Sequence, residues 1–181
     1  MDLIARAEAL QAEAHAVLRK LDLERAFPSL GPPLLIGSAR SGLMVLRDLD
    51  VMFTAPAAKA SEVLTGLADI AARVELLSVD FRDERGDRRP TPQLTDERFY
   101  AVLDHANWKV DLTIWLHAVD RPHVEDALRV GAATAEQKEA ILRLKSTYPG
   151  YPDVIGGSDI YPAVLDHGVR STGELAAYLG R

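Results

Sequence analysis

The chain contains no cysteine. That absence removes thiol nucleophiles, disulfides and thiolate zinc sites together. No apolar run reaches membrane-spanning length, so no transmembrane helix and no membrane partner is expected. The opening residues, MDLIARAEALQAEAHAVL, are broken by Asp2, Arg6, Glu8 and Glu13. This is unlike the apolar core of a signal peptide, and the expected location is cytoplasmic. Positive charge is not in excess: the formal net charge is −6. The one dense basic stretch, Arg82 to Arg89, is diluted by Asp83, Glu84 and Asp87. Bulk nucleic-acid binding rests on a basic face and is therefore not expected, whereas a few arginines and a metal ion suffice for a small anionic ligand. Internal repeats are absent, and the histidines at 15, 105, 117, 123 and 167 lack a metal-ligand spacing.

Hydrophobic residues make up 48% of the chain, enough for one ordinary core. Leu3, Ala7, Leu10, Ala14, Val17 and Leu21 recur at intervals of three and four, which predicts an amphipathic helix over 3–21. Leu34 to Ile36 is a short apolar strand stopped by Gly37. Asp48 to Thr54 alternates with the period of a half-buried strand. A helix follows over 59–72, then a strand over 74–81 and an exposed loop over 83–97. Runs at 98–104 and 108–116 read as an antiparallel hairpin turning at His105, Ala106 and Asn107. Past Pro122 the pattern becomes helical, with candidates at 124–130, 134–144, 159–166 and 174–179. The last follows Ser171 and Glu174 at capping-box spacing. The Pro- and Gly-rich stretch 148–158 reads as a structured loop. The expected fold is α+β, a mixed sheet of four or five strands flanked by helices. Residues 1–122 would form one unit, and 123–181 a helical extension or lid on the same core.

The chemistry is concentrated in LLIGSARSGLMVLRDLDVMF, residues 34–53. A Gly37-Ser38 pair follows a buried strand, and nine residues separate Ser38 from Asp48. Strand alternation points Asp48 and Asp50 one way and Leu49, Val51 and Phe53 the other. Two carboxylates roughly 6 Å apart repel by about 3 kcal/mol at an effective dielectric near 20. A hard divalent cation relieves that repulsion, and magnesium favours a few carboxylates plus phosphate oxygens and water. In WKVDLTIWL, residues 108–116, the lone acid Asp111 shares a face with Lys109, Thr113 and Trp115. If this strand neighbours 48–54, Asp111 joins the pair, and three carboxylates suit two metal ions. Lys109 reads as a solvated strand residue, Tyr100 as core or rim, and Trp115 as a residue able to border a nucleobase.

Gly37-Ser38, the spacing to Asp48-Leu49-Asp50 and the later strand residue Asp111 resemble the nucleotidyltransferase superfamily, which includes polymerase-β-like, antibiotic and minimal nucleotidyltransferases. The resemblance spans about residues 30–116. It implies that Gly37 allows close approach of a triphosphate, that Ser38 and Arg40 bind its phosphates, and that Asp48, Asp50 and Asp111 are catalytic and ligate Mg2+, two ions in all. It further implies magnesium-dependent transfer of NMP from a nucleoside triphosphate such as ATP to a hydroxyl of a small molecule or protein, releasing pyrophosphate. Two other functions fit the same residues: a non-catalytic interaction module of toxin–antitoxin type, as a homodimer or with a protein partner, and a metal-dependent phosphohydrolase.

Overall fold

The computed structural model describes residues 2–180. Five strands form one mixed sheet in the order β1-β2-β5-β4-β3, with β1 Leu34–Ile36, β2 Asp48–Thr54, β3 Ser78–Glu84, β4 Arg98–His105 and β5 Trp108–Trp115. Only the central β2–β5 pair is parallel. The helices are α1 Leu3–Leu21, α2 Leu23–Ala26, α3 Gly37–Ser41, α4 Ala60–Arg73, α5 His123–Gly131, α6 Ala135–Thr147, α7 Gly157–His167 and α8 Thr172–Tyr178. The fold is α+β, with a five-stranded sheet, as expected from the sequence.

One sheet face is apolar and covered. Leu49, Phe53, Leu112 and Ile114 are fully buried there against α1, α2 and α4. Each such side chain contributes about 1.5–3 kcal/mol relative to exposure. The buried positions of α1 are Ala7, Leu10, Ala14, Val17 and Leu21, the stripe read from the sequence. A second apolar cluster joins α5–α8 to the start of α1 and to Leu43. The capping box of Ser171 and Glu174 starts α8. No helix among the described residues is long and apolar enough to cross a membrane.

Three sequence expectations shift. The third strand runs Ser78–Glu84 rather than 74–81. Its register sets Val79 against Leu103 and Phe81 against Ala101, while Val74 closes α4 by donating to the Ile70 carbonyl. The loop expected over 83–97 thus begins after β3 and contains two single 3-10 turns. Two of its arginines, Arg85 and Arg88, are ion-paired to Asp83, and Arg89 donates to the Gly86 and Pro92 carbonyls. The hairpin turns on Ala106 and Asn107 alone, both left-handed with φ of 52° and 64°. That is the backbone of a two-residue turn matched to strand twist. His105 is consequently not an exposed tip residue. It is buried, and its Nδ1 lies 2.7 Å from the Glu75 carbonyl oxygen.

Candidate active site

The other sheet face carries the acids. Register places Asp50 directly beside Asp111 across the parallel pair, and Asp48 beside Lys109. Period-2 alternation therefore brings Asp48, Asp50 and Asp111 onto one surface. One carboxylate oxygen from each lies within 4.8 Å of the others. Ile36 pairs with Asp50 from the opposite side, so the chain leaving β1 turns at the triad. There Gly37 has φ +62°, and a Cβ built on it would stand 2.5 Å from Asp50 Oδ2. Glycine meets both demands, a left-handed backbone and close approach.

Asp48 and Asp50 line a cleft of about 270 Å³. Gly37, Ser38, Asp48 and Asp50 form one side, and Tyr151, Gly157, Ser158 and Tyr161 the other. The second wall is built by the Pro- and Gly-rich turn before α7 and by the first turns of α7. A helix N-terminus presents unpaired backbone N–H groups and favours anions. The cleft thus sets a carboxylate cluster opposite a surface suited to negative charge.

Burial pushes the Asp50 carboxyl up to about 7, helped by the neighbouring charges of Asp48 and Asp111. Burial also raises Asp48, although Lys109 opposes it. Lys109 Nζ lies 2.9 Å from Asp111 Oδ2 and 3.5 Å from Asp48 Oδ1. The lysine read as merely solvated is a bridge between two acids. Tyr100, read as core or rim, donates its hydroxyl to Asp111 Oδ2 at 2.6 Å. Burial, then this hydrogen bond, raises the phenol well above its usual range and keeps it a donor. Asp111 Oδ1 is buried without a hydrogen-bond partner, and Asp48 Oδ1 has only its long 3.5 Å ion pair with Lys109. Such orphaned acceptors on a cluster of like charges are what a hard cation satisfies, so the residues present fit a divalent metal.

Lys145 was missed in the sequence. It is 3% exposed and donates to the Leu43 carbonyl at 2.6 Å. Its ammonium sits 5.5 Å from the Tyr151 ring centre and 5.7 Å from that of Tyr161. Burial lowers it to about 8, against the pull of Asp50 and Asp48. The signal was in α6: Ile141, Leu142 and Leu144 are apolar, and Lys145 falls four residues after the first, on the same buried face.

Two expected contacts are placed elsewhere. Arg40 does not line the cleft; its guanidinium turns back 3.4 Å from the Leu35 carbonyl. Trp115 is buried beneath Arg121, whose guanidinium carbon is 3.5 Å from the ring centre, so its face is not open to a base. Arg47 pairs with Glu13 at 2.9 Å.

No protein-family model matches the chain, and no curated protein matches it in sequence. Solved structures do match. A cytoplasmic RNA terminal U-transferase aligns with TM-score 0.58 at 17% identity, over 86% of this chain and 46% of that one. The Cid1 poly(U) polymerase with Mg and 3′-dATP bound aligns at 0.59 and 19%, over 86% and 48%. Terminal uridylyl transferase 4 from Trypanosoma brucei with bound UPU aligns at 0.51 and 13%, over 91% and 59%. This chain spans about half the length of those structures. These alignments show that the chain shares the fold of those transferases, with its acidic triad on the central β2–β5 pair beside the Gly37 turn.

Proposed function

We propose that the protein is a magnesium-dependent nucleotidyltransferase that moves a nucleoside monophosphate from a triphosphate to a hydroxyl acceptor. The observation that carries this reading is the convergence of Asp48, Asp50 and Asp111, two of which line a cleft whose far wall is the start of α7. In this reading residues 1–122 carry the chemistry and 123–181 supply that wall. Asp48, Asp50 and Asp111 would hold one or two magnesium ions, which when bound neutralise charge on the reacting phosphate and on pyrophosphate. Ser38 and the backbone at Gly37 bind phosphate oxygens on one side; Ser158 and the α7 amides bind them on the other. Lys145 adds positive charge beneath the cleft. The acceptor oxygen bonds to the α-phosphorus as the bond to the bridging oxygen breaks. The acceptor proton passes to the Asp111 carboxylate, and pyrophosphate leaves.

The acceptor class is broader than the composition suggested. The structures matched include an RNA terminal U-transferase and a poly(U) polymerase, which weighs against an expectation of no nucleic-acid partner. An RNA 3′ hydroxyl therefore stands beside small-molecule and protein hydroxyls.

The test is to incubate the protein with magnesium and each triphosphate, with and without a short RNA, and to measure pyrophosphate and product mass. A nucleotidyl adduct with pyrophosphate supports transfer. Free nucleotide as the sole organic product supports the phosphohydrolase, and no turnover with any triphosphate supports the interaction module. Lys145→Met is expected to raise KM for the triphosphate about tenfold, about 1.4 kcal/mol for the loss of one positive charge beneath the cleft. Its magnesium-induced thermal shift should persist, because the three acids remain.

A pH dependence follows from Asp50. With its carboxyl pushed up to about 7 in the folded protein from an ordinary 3.8, the protonated form stabilises the metal-free fold. That contribution is full below pH 3.8 and lost as pH rises through 7. Metal needs the carboxylate, so binding releases the proton. Apparent magnesium affinity, read by calorimetry, is expected to be about tenfold weaker at pH 6 than at pH 8 for one linked proton.

A further inference from the structure

The two oxygens of Asp111 live in different surroundings. Oδ2 accepts from the Tyr100 hydroxyl at 2.6 Å and from Lys109 Nζ at 2.9 Å. Oδ1 is buried and accepts from nothing. The two donors differ in kind. Tyr100 stands on β4, two residues from Val102, the register partner of Asp111. Its ring is held from behind by the Arg98 guanidinium, 4.6 Å from the ring centre, and Arg98 is itself fixed to Glu84 at 2.6 Å. Lys109 is a flexible stem with about half its side chain exposed. Its ammonium also reaches Asp48 Oδ1 at 3.5 Å. Among the described residues it is the one cation in ion-pair contact with the triad.

We infer that Tyr100 is a positioning residue that fixes the orientation of the Asp111 carboxylate within the triad, leaving Oδ1 free of protein donors, and that Lys109 is a displaceable counter-ion that holds Asp48 and Asp111 together until a divalent metal takes its place. The inference rests on the metal-dependent reading above and deepens it. A hydrogen bond from a rigid neighbour orients a ligating carboxylate, and losing such a partner lowers metal affinity. A mobile ammonium between the same acids competes with the metal for their charge. The two contacts to one oxygen atom therefore act on metal affinity with opposite signs. A general loosening of the sheet lowers affinity in both variants and cannot produce that pattern.

The test is manganese titration, following loss of the free-ion electron paramagnetic resonance signal, with the full chain and no nucleotide. Tyr100→Phe is expected to weaken manganese binding by about tenfold or more. Lys109→Met is expected to tighten it by roughly threefold or more, as one competing unit charge is removed, and to lower the metal-free Tm. Lys109→Arg, which keeps the charge, should bind manganese as the parent does. If the parent binds manganese, Asp50→Asn does not, and the Tyr100 and Lys109 variants leave affinity unchanged or shift it in one direction, the inference is overturned while the metal-dependent reading stands. If the parent binds no manganese, that reading fails and takes this inference with it.

Discussion

Asp50→Asn is expected to abolish pyrophosphate release while leaving the metal-free protein at least as stable as the parent at pH 8. The two halves of this result have one cause. Asp50 is the acid whose carboxyl burial and its neighbours Asp48 and Asp111 push up to about 7. At pH 8 it is mostly ionised, so the fold carries a buried charge it disfavours. Asparagine has nearly the same shape and no charge, and the repulsion disappears. Turnover behaves oppositely. If the three acids hold the metal as proposed, losing one of them removes several kcal/mol of transition-state charge stabilisation, and each 1.4 kcal/mol is about tenfold, so the rate falls by about a thousandfold or more. Unchanged turnover sinks the proposed function. A loss of Tm by several degrees at pH 8 shows instead that Asp50 is structural. Asp48, also raised by burial, is expected to follow the same pattern with a smaller gain in stability. Trading stability for function in this way is common at sites that gather like charges.

Gly37→Ala is expected to damage the site more than its size suggests. The added methyl group would stand 2.5 Å from Asp50 Oδ2, closer than the contact can bear. Moving the carboxylate aside shifts the acid that sits directly across from Asp111. The backbone adds its own penalty, since φ is +62° and a left-handed non-glycine residue costs about 1–2 kcal/mol. Both effects predict a lower Tm, by about 4–8 °C for a chain of this size if the strain reaches 2 kcal/mol. They also predict loss of the magnesium-induced thermal shift. Tm falling while that shift survives would show that the turn relaxes away from Asp50, and that Gly37 serves the backbone only.

What could be read from the chain and what could not separates along one physical line. Helix α1 and strands β1, β2 and β5 were legible because their burial follows local periodicity, of 3.6 in α1 and of 2 in β2. Asp48 and Asp50 shared a face by alternation alone. Placing Asp111 with them required only that β5 lie beside β2, and the structure pairs them residue for residue. Tyr100 and Lys145 depend on tertiary packing. Tyr100 reaches Asp111 diagonally across β4 and β5. Lys145 is buried because α6 packs on α7 and meets the carbonyl of Leu43. Arg40 shows the converse. Its position in the loop after β1 suggested phosphate, yet the short helix α3 rotates it toward Leu35. The edges of β3 were misplaced because an exposed edge strand has little apolar alternation to read. Nothing in composition spoke to the acceptor, and the negative net charge is a property of the whole surface rather than of the site.

The parallel pairing of β2 with β5 has a further consequence for how the protein matures. Between these two strands the chain lays down α4, β3 and β4, so the two halves of the acidic centre meet only through a long loop closure. Contacts of that kind form slowly because chain entropy must be given up before they reward it. A chain still emerging from the ribosome with β2 complete and β5 not yet made holds two acids and no third. Under the proposed function, competence for metal would thus arrive late, as a sign that the sheet has closed, and a divalent ion that recognises only the closed form would draw the last step of folding forward.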